Sequence, residues 1–164
     1  MNNIKYDNSS IRRQDRLLAE EDAIVLLKNG EYGVLSLITP EGFPYALPIN
    51  FVWNNNNSIY LHCAPEGRKL NCIKHNDSGC FTIVGSTNVI SRKFTTSYSS
   101  IVIQVKAVIN LSKDEKMDAL KLFISKYSPN DVELGLKYTE KSFHRTEIIR
   151  LDILEMSGKS KVVQ

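Results

Sequence analysis

Arg68 and Lys69 stand where a helix begins. They follow the apolar stretch Tyr60-Leu61-His62-Cys63 and the turn Ala64-Pro65-Glu66-Gly67, and they precede Leu70 and Ile73 at helical spacing. The segment therefore reads as strand, tight turn and helix start. A helix amino end already presents unpaired N–H groups and partial positive charge. Two added cations are unfavourable there unless an anion lies between them. A phosphate group accepts the free N–H groups and offsets both charges. Phosphate binding is thus the first chemistry to consider, with two solvated surface cations as the plain alternative. His62, at the strand's end, either bonds the backbone of a neighbouring loop or touches the same ligand, where an imidazole can give or take a proton.

Two other segments have the chemistry to join such a site. Tyr45-Ala46-Leu47-Pro48-Ile49-Asn50 is a strand interrupted by proline, which leaves backbone donors and acceptors free to meet the polar edge of a planar heterocycle. Its alternative is an ordinary irregular strand. Phe94-Thr95-Thr96-Ser97-Tyr98-Ser99-Ser100 is dense in hydroxyls and aromatics, with Tyr98 the candidate covering side chain and Ser99 the candidate hydrogen-bonding one. Neither GxGxxG, GxxxxGK[ST] nor GxSxG occurs, so dinucleotide, P-loop and nucleophile-elbow chemistries lose their sequence support. His62, His75 and His144 are widely spaced and lack HExxH context, which disfavours a metal site.

The elements that must hold these residues follow from patterning. The 164 residues suit one domain, and 42% apolar with 24% charged residues is the composition of a soluble globular protein. A net charge of +3 with no block of like charges does not argue for nucleic acid. No apolar run is long enough to span a membrane, and the polar amino terminus lacks a signal-peptide core. Cys63, Cys72 and Cys80 are odd in number without CxxC spacing, so reduced thiols in a cytoplasmic setting are expected, with Cys72 buried. A polar arm is expected over 1–14, a domain over 15–157 and a polar tail over 158–164. Glu20 to Asn29 is a helix stopped by Gly30. Strands are expected over 32–39, 43–53, 58–63, 79–84, 98–111 and 146–155, with 85–97 as a polar loop. Ser112 with Glu115 has capping-box form, opening a helix whose stripe is Met117, Leu120, Ile124 and Tyr127. A further helix is expected over 131–141. About six strands joined by short turns point to a mainly β fold, an antiparallel sheet closing into a barrel with flanking helices.

In order and spacing, these segments resemble the pyridoxamine 5′-phosphate oxidase-like split-barrel flavoproteins, and within them the nitroimidazole-resistance (nitroimidazole reductase-like) branch. The matching strings are Arg12-Arg13-Gln14-Asp15-Arg16, Gly30-Glu31-Tyr32-Gly33-Val34-Leu35-Ser36, Gly42-Phe43-Pro44-Tyr45 with Pro48-Ile49-Asn50-Phe51, Tyr60-Leu61-His62-Cys63-Ala64 with Gly67-Arg68-Lys69, and Phe94-Thr95-Thr96 with Tyr98-Ser99-Ser100. The resemblance covers residues 11–157. It implies a six-stranded antiparallel split β-barrel and a homodimer with FMN at its interface. It also implies that Arg68 and Lys69 hold the FMN phosphate, with Gly67 letting the backbone approach. Pro48, Ile49 and Asn50 would line the flavin ring edge with Ser36 near it, while His62 and Ala64 would sit close by. Tyr98 and Ser99 would come from the partner subunit or close the same pocket, and Arg12 and Arg13 would add charge near the interface. The implied activity is an FMN-dependent oxidoreductase passing electrons to a small-molecule acceptor such as a nitroaromatic. NAD(P)H is a candidate reductant, and His62 would donate a proton or orient the substrate. A flavin-binding module without turnover, and a haem-handling relative using His62 or His144, are the other readings. The chain lacks the arginine-rich carboxyl-terminal motif of the pyridoxamine phosphate oxidases proper, having only Arg150-Leu151 there.

Overall fold

The computed structural model of the chain describes residues 4–163. Its centre is one seven-stranded, wholly antiparallel sheet: β1 (Tyr32–Ile38), β2 (Pro44–Asn50), β3 (Val52–Trp53), β4 (Ser58–Cys63), β5 (Ser78–Ile90), β6 (Thr95–Val108) and β7 (Glu147–Lys161), hydrogen-bonded in the order β2-β1-β5-β6-β7-β4-β3. Helices α1 (Glu20–Asn29), α2 (Arg68–His75), α3 (Lys113–Tyr127) and α4 (Val132–Ser142) flank it. The mainly β fold with flanking helices is as expected, but the expected six strands in a closed barrel are seven in an open hydrogen-bonded order. The run expected as one strand over 43–53 is cut at Phe51. Residues before it pair with β1 and residues after it pair with β4. The sheet's two edge strands are therefore neighbours in the chain, and its edges meet at this residue without a ladder joining them.

Alternation explains which face is buried. On β6, Ile101, Ile103, Val105 and Ala107 point inward while Val102, Gln104 and Lys106 point out. Phe51 and Phe81 meet edge to face at the core's centre, with ring centroids 5.2 Å apart. Gly33 lies under Phe81, where an added Cβ would fall 2.4 Å from the ring, so only glycine fits there. Helix α1 buries Ala23 and Leu27 against the sheet and ends before Gly30, as read. The glycine stands there for close packing and not for a left-handed backbone. Its φ is −56°, and a Cβ would meet Ile83 at 2.8 Å. A smaller cluster (Val52, Tyr60, Ala119, Leu120, Phe123, Ile148) lies beneath α3, whose buried stripe runs through Ala119 and Phe123 rather than Met117 and Ile124. Ser112 Oγ caps this helix by accepting from the Glu115 N–H at 3.2 Å.

Three segments depart from the expected boundaries. The stretch 85–97 is mostly strand: after a bulge between Val84 and Thr87, β5 and β6 continue as a hairpin to a tip at Ser91–Phe94. Ser86, Thr87 and Asn88 are exposed and Thr95, Thr96 and Ser97 half-buried in unbroken runs, so burial alternation, the sequence signal for a strand, is missing. The last strand runs on to Lys161 because β6 supplies a partner as far as Tyr98. The amino-terminal stretch lies along β7. Ile4 is buried, Tyr6 bridges to Met156, and the Tyr6 hydroxyl donates to Leu18 O at 2.7 Å. Residues 1–3 of the expected arm and Gln164 of the expected tail lie outside the described residues.

Candidate functional site

The break at Phe51 is stabilised by the end of α3. The Phe51 N–H donates to Tyr127 Oη at 3.1 Å. That hydroxyl lies 2.6 Å from Glu31 O and 2.8 Å from Phe51 O, and its one proton serves one of them at a time. Lys126 Nζ donates to Gly30 O at 2.6 Å and Phe51 O at 3.0 Å, and stands 3.9 Å over the Phe51 ring. Backbone groups that a continuous ladder would have paired are thus satisfied by side chains, as burial requires. Burial pushes the Lys126 ammonium down from 10.5 to about 8. Between those values the unfolded chain still holds a proton that the folded chain has released, so stability rises with pH across that window. Urea melts of wild type should show this rise, by at most about one proton's worth of slope, and Lys126→Met should lack it.

Beyond Phe51 the chain opens a gap. The β3–β4 register pairs Val52 with Tyr60. Continued past Phe51, that register sets Asn50 opposite His62, Ile49 opposite Cys63 and Pro48 opposite Ala64. No ladder forms there among the described residues, because β2 pairs only with β1, and β4 pairs only with β3 and β7. The unpaired edges of β2 and β4 still approach each other. Proline at 48 cannot donate to a ladder, and its position on this edge fits the expected proline-interrupted edge strand. Asn50 turns its Nδ2 back to Glu31 O at 3.0 Å, which leaves Oδ1 available.

Helix α2 closes the far end of the gap. Gly67 has φ +135°, a backbone that side-chain-bearing residues rarely adopt, and a Cβ there would meet nothing within 4 Å. It is the N-cap of α2, and among the described residues no side chain caps the helix's first N–H groups. The Arg68 guanidinium reaches across to β2 and lies 4.4 Å over the Tyr45 ring. Lys69 makes no ion pair with any described residue. The gap is thus framed by Phe51 at one end and by Arg68, Lys69 and open N–H groups at the other.

His62 sits on its border. The ring packs edge-on against Phe123, with centroids 4.7 Å apart and planes at 88°. His62 keeps an exposed side, but partial desolvation of its ring and then the Lys69 charge push its pKa below the usual 6.5, so the imidazole is mostly neutral at pH 7. Burial also raises the neighbouring Cys63 thiol. No backbone hydrogen bond holds the His62 ring among the described residues. Its outer side opens into a cleft of about 720 Å³ between α3 and α4, which also contains Asn50 and Tyr127.

The structure therefore brings Pro48, Ile49, Asn50, His62, Ala64, Gly67, Arg68 and Lys69 along one gap. Ser36 lies apart on the outer face of β1, opposite Ala46 and Cys80, in a hollow that it shares with Tyr45. Tyr98 and Ser99 line a different hollow, with Leu26, Gly85 and Lys161. Arg13 forms a bidentate pair with Asp15. Cys72 is buried on α2 as expected. Sequence reasoning missed the corner formed by Lys126 and Tyr127. Its spacing sets Tyr127 on the core stripe, and a Lys-Tyr pair at a helix end has no distinguishing pattern.

A family model described as pyridoxamine 5′-phosphate oxidase matches residues 19–160. No curated protein matches the sequence. Among solved structures, a candidate 5-nitroimidazole antibiotic resistance protein from Bacteroides thetaiotaomicron superposes with TM-score 0.74 at 20% identity, over 88% of this chain and 85% of that one. A FAD and heme binding protein from Mycobacterium smegmatis gives 0.77 at 18%, over 90% and 74%. The flavocytochrome Anf3 of Azotobacter vinelandii gives 0.69 at 18%, over 88% and 68%. At these identities the structural likeness shows a shared fold, whereas the family model spans most of the sequence. The chain belongs to the pyridoxamine 5′-phosphate oxidase family.

Proposed function

We propose that this chain is an FMN-dependent oxidoreductase of split-barrel type that transfers electrons to a small organic acceptor. One observation carries the reading: the unpaired edges of β2 and β4 face each other across a gap that ends in the Gly67–Lys69 corner. The donors there fit a flavin mononucleotide. Open N–H groups and the Arg68 and Lys69 cations suit a phosphate, and the absence of a side chain at Gly67 lets it approach the backbone. Pro48, Ile49 and Asn50 offer an unpaired strand edge to a planar ring. Bound flavin supplies the redox chemistry, and the protein supplies position and electrostatics. The neutral His62 imidazole, between gap and cleft, is placed to exchange a proton at a ring nitrogen.

Tyr98 and Ser99 lie in a separate hollow of their own chain; the reading includes a homodimer in which they meet the gap of a second copy. The exposed apolar residues of the outer sheet face, Ile38, Val102 and Leu154, suit such an interface. Pyridoxamine phosphate is not the substrate favoured here, because Arg150, the arginine nearest the expected phosphate grip, is tied to Glu115 at 2.9 Å and Asp152 at 2.8 Å. Three unpaired thiols suit a reducing, cytoplasmic compartment. No helix among the described residues is long and apolar enough to cross a membrane. The test is turnover: FMN-loaded protein with NADH or NADPH and a nitroaromatic acceptor should consume reductant well above an equal concentration of free FMN. Equal consumption would reduce the chain to a flavin-binding module.

A further inference from the structure

The cleft between α3 and α4 has a chemistry distinct from that of the gap. Its walls are Phe123 and Ile124 from α3 and Leu134 and Tyr138 from α4, and Asn50 and His62 form the side that opens to the gap. A space of about 720 Å³ accommodates a small organic ligand. Leu134 and Tyr138 are 67% and 70% exposed, which holds an apolar and an aromatic surface in water beside a preformed hollow. Gly135 lets α4 sit directly on α3, where a Cβ would approach Ile124 to 3.0 Å, so the two walls are set by close packing. Charge narrows the ligand class. Asp131 is the one acidic group on the lining, no Lys or Arg lines the cleft among the described residues, and Lys126 turns to the carbonyls of Gly30 and Phe51. A phosphate or carboxylate would find no cation there and would face Asp131, whereas a flat neutral ring finds aromatic faces and two polar side chains at one edge.

We propose that this cleft binds an uncharged planar aromatic molecule of one or two rings between Phe123, Leu134 and Tyr138, presenting its edge to Asn50 and His62. Its service as the acceptor site rests on the flavin reading; its ability to bind does not, because α3 and α4 build it. The probes are 2-naphthol and 2-naphthyl phosphate, which share a ring system and differ in charge, titrated calorimetrically into FMN-loaded and FMN-free protein. In FMN-loaded protein, whose phosphate corner is filled on the flavin reading, 2-naphthol should bind at least tenfold more tightly than the phosphate. Tyr138→Ala should weaken 2-naphthol at least fivefold, and Leu134→Arg should bring the phosphate to within about threefold of 2-naphthol by placing a cation at the rim. Both substitutions fall on exposed positions, and melting curves confirm that the variants fold. Equal affinity for the two probes in FMN-loaded protein, or 2-naphthol binding unmoved by Tyr138→Ala, overturns the proposal. If the protein takes up no FMN while 2-naphthol still binds and still responds to Tyr138→Ala, the flavin reading falls and the cleft assignment stands.

Discussion

Lys69→Ala should weaken FMN binding by about 10- to 100-fold, the factor that corresponds to losing a charge-assisted hydrogen bond of roughly 1.5–3 kcal/mol. Lys74→Ala, one turn further along the same helix, should leave affinity within about twofold, because a helix-surface charge there is exposed and screened by salt. The pair separates a specific phosphate contact from the general positive charge of α2. Lys69 is the informative member of the corner because it makes no ion pair with a described residue, whereas Arg68 already stacks on Tyr45. Flavin absorbance or fluorescence titration reads the result, and equal affinities for the two variants would remove Lys69 from the phosphate site. Raising salt should weaken wild-type binding and narrow the difference between the variants.

The second large effect is on the corner itself. Phe51→Ala should cost about 3–5 kcal/mol of stability, the range for truncating a fully buried phenylalanine. Phe51 is fully buried, meets Phe81 edge to face and lies beneath Lys126. Phe81→Ala should cost a similar amount, since that ring is equally buried. The two should differ in function: Phe51 ties β2 to β3 and sets the width of the gap, whereas Phe81 belongs to β5, in the sheet interior. FMN affinity measured in the folded fraction should therefore fall for Phe51→Ala and hold for Phe81→Ala. Urea denaturation gives the first comparison and flavin titration under native conditions the second. Equal FMN affinities would mean that the gap's geometry does not depend on the corner.

Particular residues show what could be read in advance. The strand–turn–helix at 58–75 was legible because its signals are local: an apolar run, Pro65 and Gly67 as punctuation, and helical spacing after Lys69. The edge position of β2 was legible for the same reason, since Pro44 and Pro48 cannot donate to a ladder. The hairpin beyond Val84 was not, because its strands are polar on both faces and their pairing is a tertiary fact. The seventh strand was hidden within one continuous apolar run, whose change of partner depends on Tyr127 and Lys126, some 75 residues away in the chain. The cleft was hidden likewise, since Leu134 and Tyr138 read as ordinary members of a helix and acquire a neighbour in His62 only when α4 folds back on α3. The candidate site was thus legible wherever one segment carries it and illegible wherever two segments must meet.

On the flavin reading, the corner at Gly67, Arg68 and Lys69 holds the phosphate of a flavin mononucleotide. A crystal structure of the protein grown with excess FMN tests it most directly. The expected result is a phosphate within hydrogen-bonding reach of Lys69 Nζ, the Arg68 guanidinium and the first N–H groups of α2, with the ring system lying along the gap between Pro48–Asn50 and His62. Density showing only solvent at this corner, with the flavin absent or bound elsewhere on the protein, would contradict the claim.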